Sequence, residues 1–277
     1  MSVRITRYLA RWVVAVVIVV IGAEAVSGVA DAAVKFMDKD GNALPFKSYE
    51  DVETFLESSA IVWKEKMSAG TNKHKRKVML QEGGHNARAI LRTGYDMKST
   101  PGGGFVDSYT SELAAYRLAL LLGLDNVPPV VRRKGGAMQI WIENATTDAA
   151  RRKSGEAPAN PEQFERQLAD MHIFDNLIAN TDRNPGNIII DGLGKVWFID
   201  QTRSFAGQTE LRYPDEITGC SRTFWDRLQS VSDAEIQDAV GPYVKNYMKE
   251  LLVRRRLLIN AISTQIESRG EGDFLFD

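Results

Sequence analysis

The chain has 277 residues, 35 Lys and Arg against 36 Asp and Glu, and a formal net charge of −1. So even a balance gives no electrostatic reason for nucleic-acid binding, and a single cysteine, Cys220, rules out an intramolecular disulfide. A small soluble substrate or another protein is the default partner, and the length of the chain, even without its first 33 residues, suffices for one two-lobed domain with a sizeable core or for two small domains.

Arg4, Arg7 and Arg11 precede an apolar run from Trp12 to Ala23, and small residues follow, ending in Ala30-Asp31-Ala32-Ala33. That is the charged, apolar and A-x-A layout of a secretory signal. The run falls short of the roughly 20 residues a membrane span needs. The expectation is therefore cleavage, a mature chain from near Val34, and an exported protein. Left uncleaved, residues 1–33 would be an N-terminal membrane anchor.

From 34 to 145 the pattern is mostly strand with one helix. Ala60 to Lys66 and Lys77 to Gln81 have strand character, and Gly83-Gly84 turns the chain into Ala87 to Arg92. Between the first two strands, SAGTNKHKRK offers Gly70, whose neighbouring backbone N–H groups could cradle phosphate, with Lys73 as a charge on it. A solvated, Lys-rich hairpin tip accounts for the same letters. Ser108 to Leu122 carries Leu113, Tyr116 and Leu120 at helical spacing and stops at Gly123. Glu112 stands in its first turn, where the helix dipole by itself favours an acid. Val130-Val131 and Met138 to Glu143 read as strands about a Gly135-Gly136 turn. Thr146 to Asn160 is polar and small-residue rich, which suits a linker.

Beyond that stretch the period becomes helical. Asn160 is a good N-cap, Pro161 suits the first helical position, and Phe164, Leu168, Met171, Phe174 and Ile178 make one apolar face. His172 within it reads as a satisfied helix histidine. Tyr243 to Glu267 is a second long helix, with Arg254, Arg255 and Arg256 as a solvated face.

The first of these helices leads into NTDRNPGNIII, the turn DGLGK and VWFIDQTRSF, residues 180–205. Ile188 to Ile190 and Val196 to Ile199 read as a hairpin, which sets Asn187 at the start of one strand beside Asp200 at the end of the other. Phosphoryl transfer needs an acid to orient the attacking hydroxyl, and hard oxygen ligands for Mg²⁺ on a triphosphate. Asp182 suits the first role, Asn187 and Asp200 the second. A surface loop of ordinary turn residues is the plainer account of the same stretch.

These residues resemble the catalytic core of the atypical kinases: the phosphoinositide 3- and 4-kinases, the HipA-type kinases and the secretory-pathway kinases. Those families carry Asp-Arg-x-x-x-Asn and then Ile-Asp-x-x-x-x-Phe, here Asp182, Arg183, Asn187 and Ile199, Asp200, Phe205. The resemblance implies an α+β, two-lobed, protein-kinase-like fold, with an N-lobe at 34–145 and a C-lobe at 146–277. It implies ATP with Mg²⁺ or Mn²⁺, and transfer of phosphate to a hydroxyl of an exported protein, a glycan or a small molecule. By it Asp182 is the catalytic base, Asn187 and Asp200 are metal ligands, and Glu112 is the acid of the N-lobe helix. Trp141 to Asn144, Glu143 included, would pass behind the adenine. Arg92 takes the strand-end position where these families usually carry Lys; Arg keeps the charge but is longer, planar and prefers forked contacts. Transfer of AMP, or partner binding without chemistry, are the alternatives on the same fold. Arg183 is expected to hold the loop, and Arg203 either to do the same or to stabilise charge on the transferring phosphoryl.

Overall fold

The computed structural model describes residues 35–67, 74–98, 105–133, 135–244 and 246–277. The expected signal segment, Gly70 and Lys73 lie outside them. Helix α1 (Tyr49–Ser58) opens on a capping box between Ser48 and Asp51. Strands β1 (Ala60–Lys66), β2 (Lys75–Glu82) and β3 (His85–Thr93) follow, each antiparallel to the next. Gly83 and Gly84 both adopt positive φ, 58° and 82°, the two-residue turn whose twist matches that of the strands it joins. That turn sets the register from Glu82 opposite His85 to Lys75 opposite Arg92.

A hairpin that the sequence pattern did not announce, β4 (Tyr95–Lys98) and β5 (Phe105–Ser108), leads into α2 (Tyr109–Leu121), capped by Ser108. Then β6 (Val130–Arg133) and β7 (Gly136–Ile140) complete a five-stranded antiparallel sheet in the order β1-β2-β3-β7-β6. Strand β7 stops at Ile140, so Trp141 to Glu143 continue as irregular chain. Strand alternation gives the sheet two unlike faces. Val78, Leu80, Ala89, Leu91, Met138 and Ile140 bury against Val52, Phe55 and Leu56 of α1. The alternate positions, Lys75, Lys77, Arg88, Arg92 and Gln139, fall on the other face.

The polar stretch expected as a linker is ordered instead. It contains β8 (Ala145–Thr147) and α3 (Asp148–Ser154). Its small polar letters are helix signals: Thr147 caps the N-terminus, buried Asp148 pairs with Arg151 and Arg152, and Gly155 closes the end in the left-handed conformation. Helix α4 (Pro161–Ile178) follows, capped by Asn160, and then β9 (Ile188–Asp191) and β10 (Val196–Phe198), which with β8 form a three-stranded sheet. His172 on α4 meets Glu216 at 2.5 Å.

The remaining elements are β11 (Cys220–Ser221), α5 (Arg222–Ser230), α6 (Asp233–Val240), α7 (Met248–Arg269), α8 (Glu271–Phe274) and β12 (Leu275–Phe276). Their core joins α2 to the helical half through Tyr116, Phe174, Phe198, Phe224 and Leu258. The arginine cluster of α7 is not a solvated face. Arg254 is fully buried and donates to the carbonyls of Leu177, Ala206 and Gln208, while Arg255 donates to those of Leu228, Gln229 and Val231. Only Arg256 is exposed. Packing of α7 on α4 and α5 covers the first two, and carbonyls at the ends of those helices and in the loop at Ala206 and Gln208 supply the acceptors. No helix among the described residues is long and apolar enough to cross a membrane.

One buried acid gives this half a pH dependence. Asp170 of α4 accepts from Ser221 N at 2.9 Å, and burial pushes its carboxyl up from 3.8 to about 6. A folded-state value above the unfolded one means that its contribution is greatest below pH 4 and is lost as pH rises to 6, by about 3 kcal/mol. Asp170→Asn keeps the acceptor and should flatten that part of the curve. Urea unfolding of both chains at pH 4, 5 and 6.5 checks this, and an unchanged slope in the variant would contradict it.

Candidate functional site

The loop between α4 and β9 is held by its own side chains. Helix α4 ends at Ala179, in the left-handed conformation at φ 51°, and Asn180 donates from its amide to Asp175 at 2.9 Å. Arg183 grips the same buried Asp175 with Nε at 2.7 Å and Nη2 at 2.9 Å, while its Nη1 reaches the carbonyls of Asn187 and Ile199. Its partner is thus Asp175 of α4, and its work is to tie that helix to both strand ends. The Asp182 carbonyl accepts from Asn187 Nδ2 at 2.8 Å and from Asn184 Nδ2 at 3.2 Å.

Hairpin register brings the two candidate ligands together. Phe198 pairs with Ile188, and Ile199 N donates to Asn187 O at 3.1 Å, which leaves Asp200 one residue beyond Asn187's partner. Asp200 itself is left-handed at φ 62°, and Phe205 is too at φ 60°. Asp tolerates that region, whereas for Phe it is strained, and such strain collects at functional sites. Between them Thr202 Oγ1 donates to Asp200 at 3.0 Å.

Two cations converge on Asp200 from the sheet. Lys75 Nζ lies 2.6 Å from Oδ2, and Arg92 Nη1 lies 3.4 Å from Oδ1. Arg92 also meets Glu112 Oε1 and Gln139 Oε1, each at 3.2 Å from Nη2. Burial alone would raise the Asp200 carboxyl, but the Arg92 and Lys75 charges outweigh it and hold it well below the usual carboxylate range. Glu112, with no exposed surface, moves the other way: burial pushes its carboxyl up against the pull of Arg92.

Two members of the site were absent from the sequence reading. Lys75 stands opposite Arg92 in the β2–β3 ladder. Asp107, buried at the end of β5, accepts from Arg203 Nε at 2.7 Å, and Arg203 Nη1 in turn meets Asp182 Oδ2 at 3.0 Å. Arg203 therefore links β5 to the loop carboxylate. Nothing in the local pattern around Asp107 marks it, whereas Lys75 follows from the Gly83-Gly84 turn.

Beside this cluster the five-stranded sheet and the paired strands β8 and β9 line a cavity of about 730 Å³, within the roughly 300–1,000 Å³ of small-molecule sites. Ile90, Ile142, Ile189, Ile199 and Trp141 line it, with Arg88 and Glu143 at its wall. The Glu143 carboxylate is taken by Arg88, Nε to Oε1 at 2.5 Å, and Lys77 Nζ lies 4.3 Å over the Trp141 ring. Gln139 belongs both to the cavity wall and to the charged cluster, and Ile199 of the wall directly precedes Asp200 in the chain.

The donor set suits a metal that a ligand's phosphates complete. Asp200 is an ionised carboxylate, and Asn187, whose Nδ2 is committed to the Asp182 carbonyl, is left with Oδ1 to offer. No group of three or more His, Cys, Asp or Glu able to hold a metal alone occurs among the described residues.

No family model matches the chain, and no curated protein does. Among solved structures it is similar to the Helicobacter pylori proinflammatory kinase CtkA, at 10% identity over 76% of this chain and 93% of that one, with a TM-score of 0.41. The likeness to that kinase is a distant one of fold, and no residue role or activity passes across it.

Proposed function

We propose that the chain is an ATP-dependent phosphotransferase that uses Mg²⁺ or Mn²⁺ and acts on a hydroxyl of an exported protein or glycan. The observation that carries this is a junction: an apolar cavity that ends, through Ile199 and Gln139, at the Arg92, Glu112 and Asp200 cluster. A nucleoside triphosphate has the same polarity, a flat base at one end and dense charge at the other. In this reading the base lies among Ile90, Ile142 and Ile189, and the chain from Ile142 to Asn144 offers its backbone to the base edge. Asp200 and Asn187 would hold a divalent cation, which when bound neutralises charge on the phosphates. Asp182, fixed by Asn184, Asn187 and Arg203, orients the acceptor hydroxyl and takes its proton. The exported acceptor rests on the signal-like layout of residues 1–33.

Incubation of the purified chain with ATP labelled at the γ or the α phosphate, with Mg²⁺ or Mn²⁺, tests this. Label transferred from γ is expected. Label from α would make it an AMP transferase, and binding with no transfer a partner-binding module. Asp200→Asn should reduce ATP affinity in Mg²⁺ to the value measured with chelator, because it removes the ionised ligand. The fold should survive, since Asn accepts the left-handed φ of 62°. Wild-type Mg²⁺-dependent affinity in that variant would take Asp200 out of the site.

A further inference from the structure

The two cations on Asp200 differ in freedom. Arg92 is 4% exposed and has three partners, Glu112, Gln139 and Asp200. To reach a ligand it would have to leave the fully buried Glu112 carboxyl and the Gln139 side-chain oxygen without their guanidinium partner, so its guanidinium is a fixture. Among the described residues the Lys75 ammonium is ion-paired with Asp200, at 2.6 Å, and its side chain keeps 16% of its surface in solvent. An ammonium on a flexible four-carbon stem can follow a moving partner, which a pinned guanidinium cannot. The two side chains are direct neighbours on one face of the β2–β3 ladder.

We infer that Lys75, and not Arg92, is the cation that meets the nucleotide phosphates, and that Arg92 is a positioning residue that fixes α2 and Asp200 from behind. This rests on the nucleotide site proposed above. The lysine that the strand end of β3 lacks is thereby supplied from the adjacent strand. With Asp200 engaged in holding a divalent cation, the Lys75 ammonium would be free to meet the phosphates beside it.

Calorimetric titration of the full chain with ATP, ADP, AMP and adenosine, in Mg²⁺, separates the roles. Wild type should bind ATP more tightly than adenosine. Lys75→Met, which keeps the length of the stem, should lose about tenfold or more in ATP affinity, the worth of a charged hydrogen bond, with adenosine affinity unchanged. Lys75→Arg should recover most of the loss. Arg92→Lys should lower the unfolding midpoint and leave the ratio of ATP to adenosine affinity near wild type. Adenosine serves as the internal control for folding in every variant. Wild-type ATP affinity in Lys75→Met, or collapse of the ratio in Arg92→Lys alone, overturns the inference. Absence of binding by wild type to any of the four compounds overturns the nucleotide site itself.

Discussion

Asp182→Asn should lower turnover by at least about a hundredfold, the lower end of what a positioned acid or base contributes, while nucleotide affinity stays nearly unchanged. An acceptor-orienting carboxylate acts on the chemical step, whereas a phosphate or metal ligand also governs ground-state affinity. Local structure makes the substitution clean. The Asp182 backbone is held by Asn184 and Asn187 regardless of its side chain. Arg203, deprived of one carboxylate, keeps Asp107. Single-turnover rates beside calorimetric affinities measure the split. Full turnover in an active preparation of the variant would remove Asp182 as the base and the proposed mechanism with it.

Arg254→Met should destabilise the chain by about 1–3 kcal/mol, the cost of leaving a buried carbonyl unpaired. That carbonyl is Leu177's; those of Ala206 and Gln208, which also accept from Arg254, lie nearer the surface, where water can replace the donor. Leu177 lies in the last turn of α4, where a carbonyl has no partner within its own helix, so Arg254 acts as a side-chain cap on the helix that delivers the Asp182 loop. Arg256→Met, at an exposed position two residues on, should stay within about 0.5 kcal/mol of wild type. Urea midpoints of the two variants give the comparison. Equal midpoints would mean that the buried donor of α7 contributes nothing to stability.

Contact order explains what could be foreseen in the rest of the molecule. The turn at Gly83-Gly84, the cap at Asn160-Pro161 and the hairpin from Ile188 to Phe198 were legible because each is encoded within a few adjacent residues. Lys75 was within reach by the same means: a two-residue turn that sets Glu82 opposite His85 also sets residue 75 opposite Arg92. The linker expected over Thr146 to Asn160 shows the opposite failure. Thr, Asp and Gly mark both loops and helix ends, and the choice fell to a capped helix only because β8 pairs with β9 and anchors its start.

By itself, then, the amino-acid order determined the local frame of this protein: where chains turn and cap, and that Asn187 and Asp200 flank one hairpin. Tertiary structure alone decided which charges share a site. Asp107 reaches Asp182 through Arg203 across 75 residues of chain, and Arg254 is buried while Arg256 is solvated although they sit two apart on one helix. The physical reason is that backbone geometry is set by neighbours in sequence, whereas burial and charge pairing depend on what lies opposite once elements pack. A carboxylate or guanidinium carries the same letter in water as in a core; only the packed surroundings fix its partner and the cost of removing it.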